Sequence, residues 1–127
     1  LADEPPISGP FDLVVVSFVL HWVDRRRLGR AVAAIDNLLA EGGLLLLADF
    51  LPDRPCARRY HHRTDVELYT YKQDYSSAFK GLGLYREISR TVFAHDAAVW
   101  DTAASDDQNR AFAAILQKTC EYPLVQV

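Results

Sequence analysis

The sequence predicts an α/β domain built on a parallel sheet, and three observations carry that expectation. Two apolar runs, Leu13 to Val16 within FDLVVVSFVL and Leu44 to Leu47 within LLLLADF, show no in–out alternation. Such runs mark strands buried on both faces, as in a sheet covered by helices on either side. Between them, Leu28, Val32, Ile35 and Leu39 recur at the spacing of one helical stripe. Strand, helix and strand make one βαβ unit, with parallel strands and a right-handed crossover.

The remaining elements follow in order. LADEPPISGP, residues 1–10, is rich in proline and glycine and reads as loop. After the first strand, Asp24 is placed to cap the helix at its N-terminus, and Gly42-Gly43 to stop it. LPDRPCARRYHHRTD, residues 51–65, has two prolines, many charges and no period, and reads as loop. In VELYTYKQDYSSAFKGLGL, Tyr71, Tyr75 and Phe79 recur every four residues, which predicts a short amphipathic helix ending near Gly81 or Gly83. YREISRTVF alternates and reads as a half-exposed strand nearer an edge. AHDAAVWDTAASDDQ is a polar connection, and CEYPLVQV an irregular tail. NRAFAAILQKT fits helix or strand equally, because Phe112, Ile115 and Leu116 suit either period.

Composition bounds the function. The chain has 127 residues, 50% of them hydrophobic, and a net charge of −3. That suits one globular domain or a piece of one, and the mild acidity leaves no nucleic-acid footprint. No apolar run reaches the roughly 18 residues of a membrane span, and residues 1–10 lack a basic signal-peptide start. Cys56 and Cys120 have no metal-ligand spacing, so reduced cysteines in a cytoplasmic protein are expected. The sequence contains no methionine and begins at Leu1, which points to part of a longer protein.

In an open parallel sheet, ligands bind beyond the carboxyl ends of the strands. Those ends are Ser17-Phe18-Val19-Leu20-His21 and Asp49-Phe50. His21 and Trp22 therefore leave the sheet on its ligand side. The structural alternatives are that Trp22 packs over the following helix, that His21 is a solvated linker and that Asp49 serves a turn. RRYHHR, residues 58–63, reads as a solvated basic loop or as a lid over an acidic substrate. His95 has no partner nearby in sequence. There is no G-x-S-x-G elbow, no recognisable Cys–His pair and no phosphate-binding loop, since Gly42-Gly43 lacks the accompanying lysine.

Residues 11–50 resemble the second half of a class I S-adenosylmethionine-dependent methyltransferase domain. The shared features are an F-D-L-V strand, a serine at its tip, L-H-W, and a helix running into LAEGGLLLLADF. The resemblance implies a partial Rossmann-like, doubly wound sheet whose parallel strands end in an antiparallel hairpin. The last strand would be inserted between its two predecessors, which favours strand for 109–118. It also implies that residues 1–127 are the C-terminal part of one such domain, from the fourth strand onward, with the glycine-rich first half absent. S-adenosylmethionine would be the cofactor and a small molecule the methyl acceptor. Ser17, Phe18 and Val19 would line the cofactor pocket. His21 would be the catalytic base, as the nearby group with a suitable ordinary pKa. Trp22, Asp49 and Phe50 would face the acceptor. The alternatives are a catalytically inactive methyltransferase-like binding or dimerisation module, or a nicotinamide oxidoreductase, which a parallel final strand would favour. With the family's first strand absent, the 12–19 strand would be an exposed edge through which the chain self-associates.

Overall fold

A computed structural model of the chain describes residues 7–96, 107 and 109–119. Its elements are β1 (Phe11–Ser17), a 3-10 turn (Leu20–Trp22), α1 (Leu28–Leu38), β2 (Leu39–Phe50), β3 (Cys56–Arg59), β4 (Tyr69–Lys72), α2 (Ser76–Gly81), β5 (Tyr85–Ala94) and β6 (Arg110–Lys118). The main sheet has the order β1-β2-β6-β5, and β3 and β4 form a separate two-stranded ribbon. β1 and β2 are parallel, whereas β6 runs antiparallel to both β2 and β5. The sheet is thus the expected partial Rossmann-like one, parallel strands ending in an antiparallel hairpin with the last strand inserted. The tail from residue 120 and most of the 94–108 connection lie outside the described residues.

The β6 segment is settled by its partners rather than by its own period. Phe112, Ala114 and Leu116 alternate onto one face and are almost fully buried. Beside them lie Leu45 and Leu47 of β2, and beyond those Val16 of β1. Ala31, Val32 and Ile35 of α1 and Phe79 of α2 pack on this same face. Both helices therefore cover one side of the sheet. Leu13, Val15 and Ile88 on the other side are 56%, 57% and 53% exposed. The expectation that the first strand is buried on both faces is corrected: an apolar run reports a β-branched strand, but not how many of its faces have neighbours.

Three local expectations change as well. Asp24 does not cap α1, whose N-cap is Arg27; its carboxylate accepts the Arg26 N–H at 2.8 Å and closes a preceding turn. Gly42-Gly43 does not stop the helix, which passes directly into β2 at Leu39, so both glycines lie within the strand. There the pairing with β1 jumps, Phe11 facing Leu39 and Leu13 facing Leu44. Gly42 absorbs the irregularity with φ +77°, and a Cβ on Gly43 would meet the Ala40 carbonyl oxygen at 2.8 Å. Gly43→Ala is expected to destabilise the fold by roughly 1–3 kcal/mol through that overlap, measured as a lowered urea midpoint; an unchanged midpoint would show that the bulge adapts.

The third change concerns residues 56–72. The loop assigned to 51–65 contains β3, and the helix assigned to 69–82 is shortened to α2, because Tyr69–Lys72 pairs with Cys56–Arg59 as a strand. Of the Tyr71, Tyr75, Phe79 stripe, Tyr75 and Phe79 are buried in the core while Tyr71 belongs to β4. The start of α2 is held by Asp74, whose carboxylate accepts from the Ser76 N–H and hydroxyl at 3.0 and 2.6 Å. Arg90 pairs with Asp74 at 3.2 Å and Glu87 at 2.7 Å while its guanidinium lies over Phe112, 4.7 Å from the ring centroid. Burial works against the Asp74 charge, but the Ser76 and Arg90 hydrogen bonds outweigh it and hold the carboxyl below its usual range.

Candidate active site

Because β1 and β2 are parallel, their carboxyl ends lie side by side, Ser17 opposite Ala48. The Phe18 N–H donates to the Ala48 carbonyl at 2.8 Å, and Phe18 then adopts φ +52°. A left-handed conformation at a bulky residue is costly and is held by its surroundings. It breaks the strand, and the chain turns into Leu20–Trp22. That 3-10 turn replaces the last part of the expected strand and places Leu20 in the core with His21 above it.

His21 and Asp49 form the centre of the site. His21 is 5% exposed and Asp49 0%. His21 Nδ1 lies 2.9 Å from Asp49 Oδ1. The same carboxylate accepts the Phe50 N–H at 2.8 Å and the His21 N–H at 3.3 Å. A carboxylate that accepts these bonds requires the proton on Nδ1, so the neutral imidazole carries its lone pair on Nε2. Nε2 makes no hydrogen bond among the described residues, yet no side-chain nitrogen or oxygen there is both sealed and unpartnered. Nε2 is therefore open to the cleft that His21 lines.

That cleft has a volume of about 750 Å³. On the sheet side it is walled by Phe18, His21, Trp22 and Phe50. The rings meet edge to face, Phe18 with Phe50 at 5.3 Å and His21 with Phe50 at 5.0 Å between centroids. The opposite wall is the β3–β4 ribbon, which packs against the 3-10 turn and contributes Arg58, Arg59, Tyr60 and Lys72. Tyr60 meets Trp22 at 4.9 Å. Lys72, 7% exposed, holds its ammonium 3.7 Å from the Phe50 centroid. Burial and then the nearby Arg58 charge press the Lys72 pKa below its ordinary value.

Of the sequence-derived site residues, Phe18, His21, Trp22 and Phe50 come together around this cleft. Asp49 is sealed beneath it and acts on His21 instead of facing the cleft. Ser17 is exposed at the strand end, and Val19 packs on the core. Arg58, Arg59 and Tyr60, in the segment read as a solvated loop or as a lid over an acidic substrate, line the cleft; Lys72 was not among the candidates, and the alternation of Tyr69-Thr70-Tyr71-Lys72 is the signal that would have revealed the strand carrying it. His95, for which sequence offered no partner, lies 4.8 Å from Phe18 and 5.0 Å from Phe50, with Nδ1 2.8 Å from Asp96. Among the described residues there is no cluster of three metal-ligating side chains and no helix long and apolar enough to cross a membrane.

No protein-family model matches the sequence, and no curated protein does. Several solved structures match the fold. A SAM-dependent methyltransferase from Methanosarcina mazei superposes with a TM-score of 0.68 at 15% identity, over 95% of this chain and 66% of that one. The 1,6-didemethyltoxoflavin-N1-methyltransferase of Burkholderia thailandensis, solved with 1,6-didemethyltoxoflavin and S-adenosylhomocysteine, gives 0.62 at 16% identity, over 92% and 48%. An S-adenosylmethionine-dependent methyltransferase from Mesorhizobium loti gives 0.56 at 16% identity, over 91% and 64%. The chain thus spans between about half and two thirds of the length of these structures. With β6 reversed and inserted between β2 and β5, the chain has the fold of class I S-adenosylmethionine-dependent methyltransferases.

Proposed function

We propose that this chain is the C-terminal part of a methyltransferase domain that transfers a methyl group from S-adenosylmethionine to a small molecule. The observation that carries the reading is His21 at the parallel strand tips, its Nδ1 held by buried Asp49 and its Nε2 open to an aromatic cleft. The walls suit the cofactor: a sulfonium is a cation with apolar substituents, and the aromatic rings of Phe18 and Trp22 favour such a group. When bound, the cofactor supplies an electrophilic methyl ready for in-line displacement.

The chain's own residues do the rest. Phe18 and Phe50 form a dry wall that excludes water and orients the acceptor. His21 Nε2 takes the proton that the acceptor loses as its new bond to carbon forms. Asp49 holds the tautomer that makes this step available and stabilises the resulting imidazolium. Ser17 and Val19 are proposed to contact the cofactor through the backbone of the strand tip, and Trp22 to cover the acceptor. The opposite wall of the cofactor pocket, with its glycine-rich loop, is proposed to precede Leu1 in the gene product, and a cytoplasmic location is proposed with it. Isothermal titration with S-adenosylhomocysteine tests both parts: micromolar binding is expected for the full-length gene product and none for residues 1–127 alone. No binding by the former would defeat the methyltransferase reading; binding by the latter would defeat the division.

The exposed Leu13 and Val15 on the edge strand β1 also support self-association of the isolated chain. Light scattering of residues 1–127 is expected to show dimers or larger species that Val15→Lys disperses; a monomer before substitution would rule this out.

A further inference from the structure

Three strand tips meet at the cleft. β6 runs antiparallel to both β2 and β5, so β5 runs in the same direction as β1 and β2. Its carboxyl end opens on the same edge of the sheet, and His95 follows it directly. The His95 N–H donates to the Asn109 carbonyl at 2.7 Å, which continues the β5–β6 pairing by one step and fixes the backbone there. The imidazole leans onto two rings, 4.8 Å from Phe18 and 5.0 Å from Phe50 between centroids. Its Nδ1 lies 2.8 Å from the Asp96 carboxylate. A carboxylate accepts, so Nδ1 carries the proton and the neutral ring keeps its lone pair on Nε2. Nε2 makes no hydrogen bond among the described residues, and His95 lines the cleft with its side chain 41% exposed. At a more open position this repeats the arrangement of His21 and Asp49.

His21 and His95 each stand 5.0 Å from Phe50, so one compact ligand can reach both. The charged groups around them answer one another: the buried Asp49 and the Asp96 carboxylates act on Lys72, Arg58 opposes them, and Arg58 and Lys72 have interactions of their own. What the two histidines offer a ligand is a pair of lone pairs, which calls for two donors. A neutral imidazole is also a weak base. It takes a proton from a phenolic hydroxyl, of ordinary pKa about 10, far more readily than from an aliphatic alcohol. A volume of about 750 Å³ suits a compact ligand rather than a polymer.

We propose that His95 is a second residue that binds the methyl acceptor, and that the acceptor is a compact diphenol whose hydroxyls lie at opposite ends of one ring. The inference rests on the methyltransferase reading above. One hydroxyl oxygen forms its bond to the methyl carbon as the carbon–sulfur bond breaks, the electron pair staying on sulfur, and its proton passes to His21 Nε2. The other hydroxyl donates to His95 Nε2 and keeps its proton. The products are the monomethyl ether and S-adenosylhomocysteine. His95 selects the acceptor and holds the end that does not react, while Asp96 fixes the tautomer with which it does so. The ether has one donor fewer than the acceptor, so it is held less tightly and leaves.

The probes are hydroquinone and 4-methoxyphenol, which differ by the methyl group that removes one donor. Titrated anaerobically at about pH 8, above the ordinary imidazole range, into the full-length gene product saturated with S-adenosylhomocysteine, hydroquinone is expected to bind about three- to tenfold more tightly, the worth of one hydrogen bond. His95→Phe keeps a ring against Phe18 and Phe50 but has no lone pair; it is expected to abolish the preference by weakening hydroquinone alone. Should that variant fail to fold, His95→Ala, which only shortens a half-exposed side chain, gives the same comparison. Equal affinity for the two probes, a substitution that weakens both alike or leaves the preference intact, or no binding of hydroquinone at millimolar concentration overturns this inference alone when S-adenosylhomocysteine binds. Absence of S-adenosylhomocysteine binding overturns the methyltransferase reading and this inference with it.

Discussion

Replacing Asp49 by asparagine in the full-length gene product is expected to slow methyl transfer by on the order of a hundredfold or more while S-adenosylhomocysteine still binds. The argument is one of charge and of mismatched donors. Asp49 is fully buried; its Oδ1 accepts from both His21 Nδ1 and the Phe50 N–H, and its Oδ2 from the His21 N–H. Asparagine keeps the shape but offers one oxygen and one NH₂ group. With its oxygen in the Oδ1 position, the NH₂ meets the His21 N–H donor, and no negative charge remains to stabilise the imidazolium that forms when Nε2 takes the acceptor's proton. Turned the other way, the NH₂ meets Nδ1 and the Phe50 N–H, and the Nε2 lone pair is lost. His21→Ala should cost a similar factor, and the double substitution little more than either alone, because the two residues act as one unit. Independent, multiplicative losses would show that Asp49 supports the fold without acting through His21.

The largest expected loss of stability follows Phe112→Ala, at about 3–5 kcal/mol. Phe112 is fully buried, 0% solvent-accessible, in the inserted strand beside Asp49 of β2 and Val92 of β5. Arg90 rests on its ring while pairing with Asp74, so the cavity would also loosen the anchor of α2. Ile88→Ala is the control, since Ile88 is 53% exposed and should change stability by less than about 0.5 kcal/mol. Urea unfolding measures both. Equal effects would mean that the uncovered face of the sheet carries as much packing as the helical face.

These residues also show what sequence made legible. The βαβ unit was readable because its signals are local: two apolar runs around a helical stripe. The strand tips followed from parallel geometry, which put His21 and Asp49 in one region although 28 positions separate them. Their hydrogen bond was not readable, since spacing along a strand does not say which side chain is sealed and which is open. β6 needed the family resemblance, because spacings such as Phe112 to Leu116 satisfy a helix and a strand alike. The ribbon was missed for two reasons. Tyr71, Tyr75 and Phe79 mimic a helical stripe across the end of β4 and into α2. The partner of β4, Cys56–Arg59, carries two adjacent arginines and no apolar alternation. Lys72, which lines the cleft against Phe50, fell inside that misread segment.

The central claim is that the cofactor sits at the carboxyl ends of β1 and β2, beside His21. Hydrogen–deuterium exchange of the full-length gene product, with and without saturating S-adenosylhomocysteine, tests it most directly. Added protection is expected in the backbone of residues 17–22 and 49–51, with little change in β5. Unchanged exchange at both strand tips when the ligand is bound would contradict it.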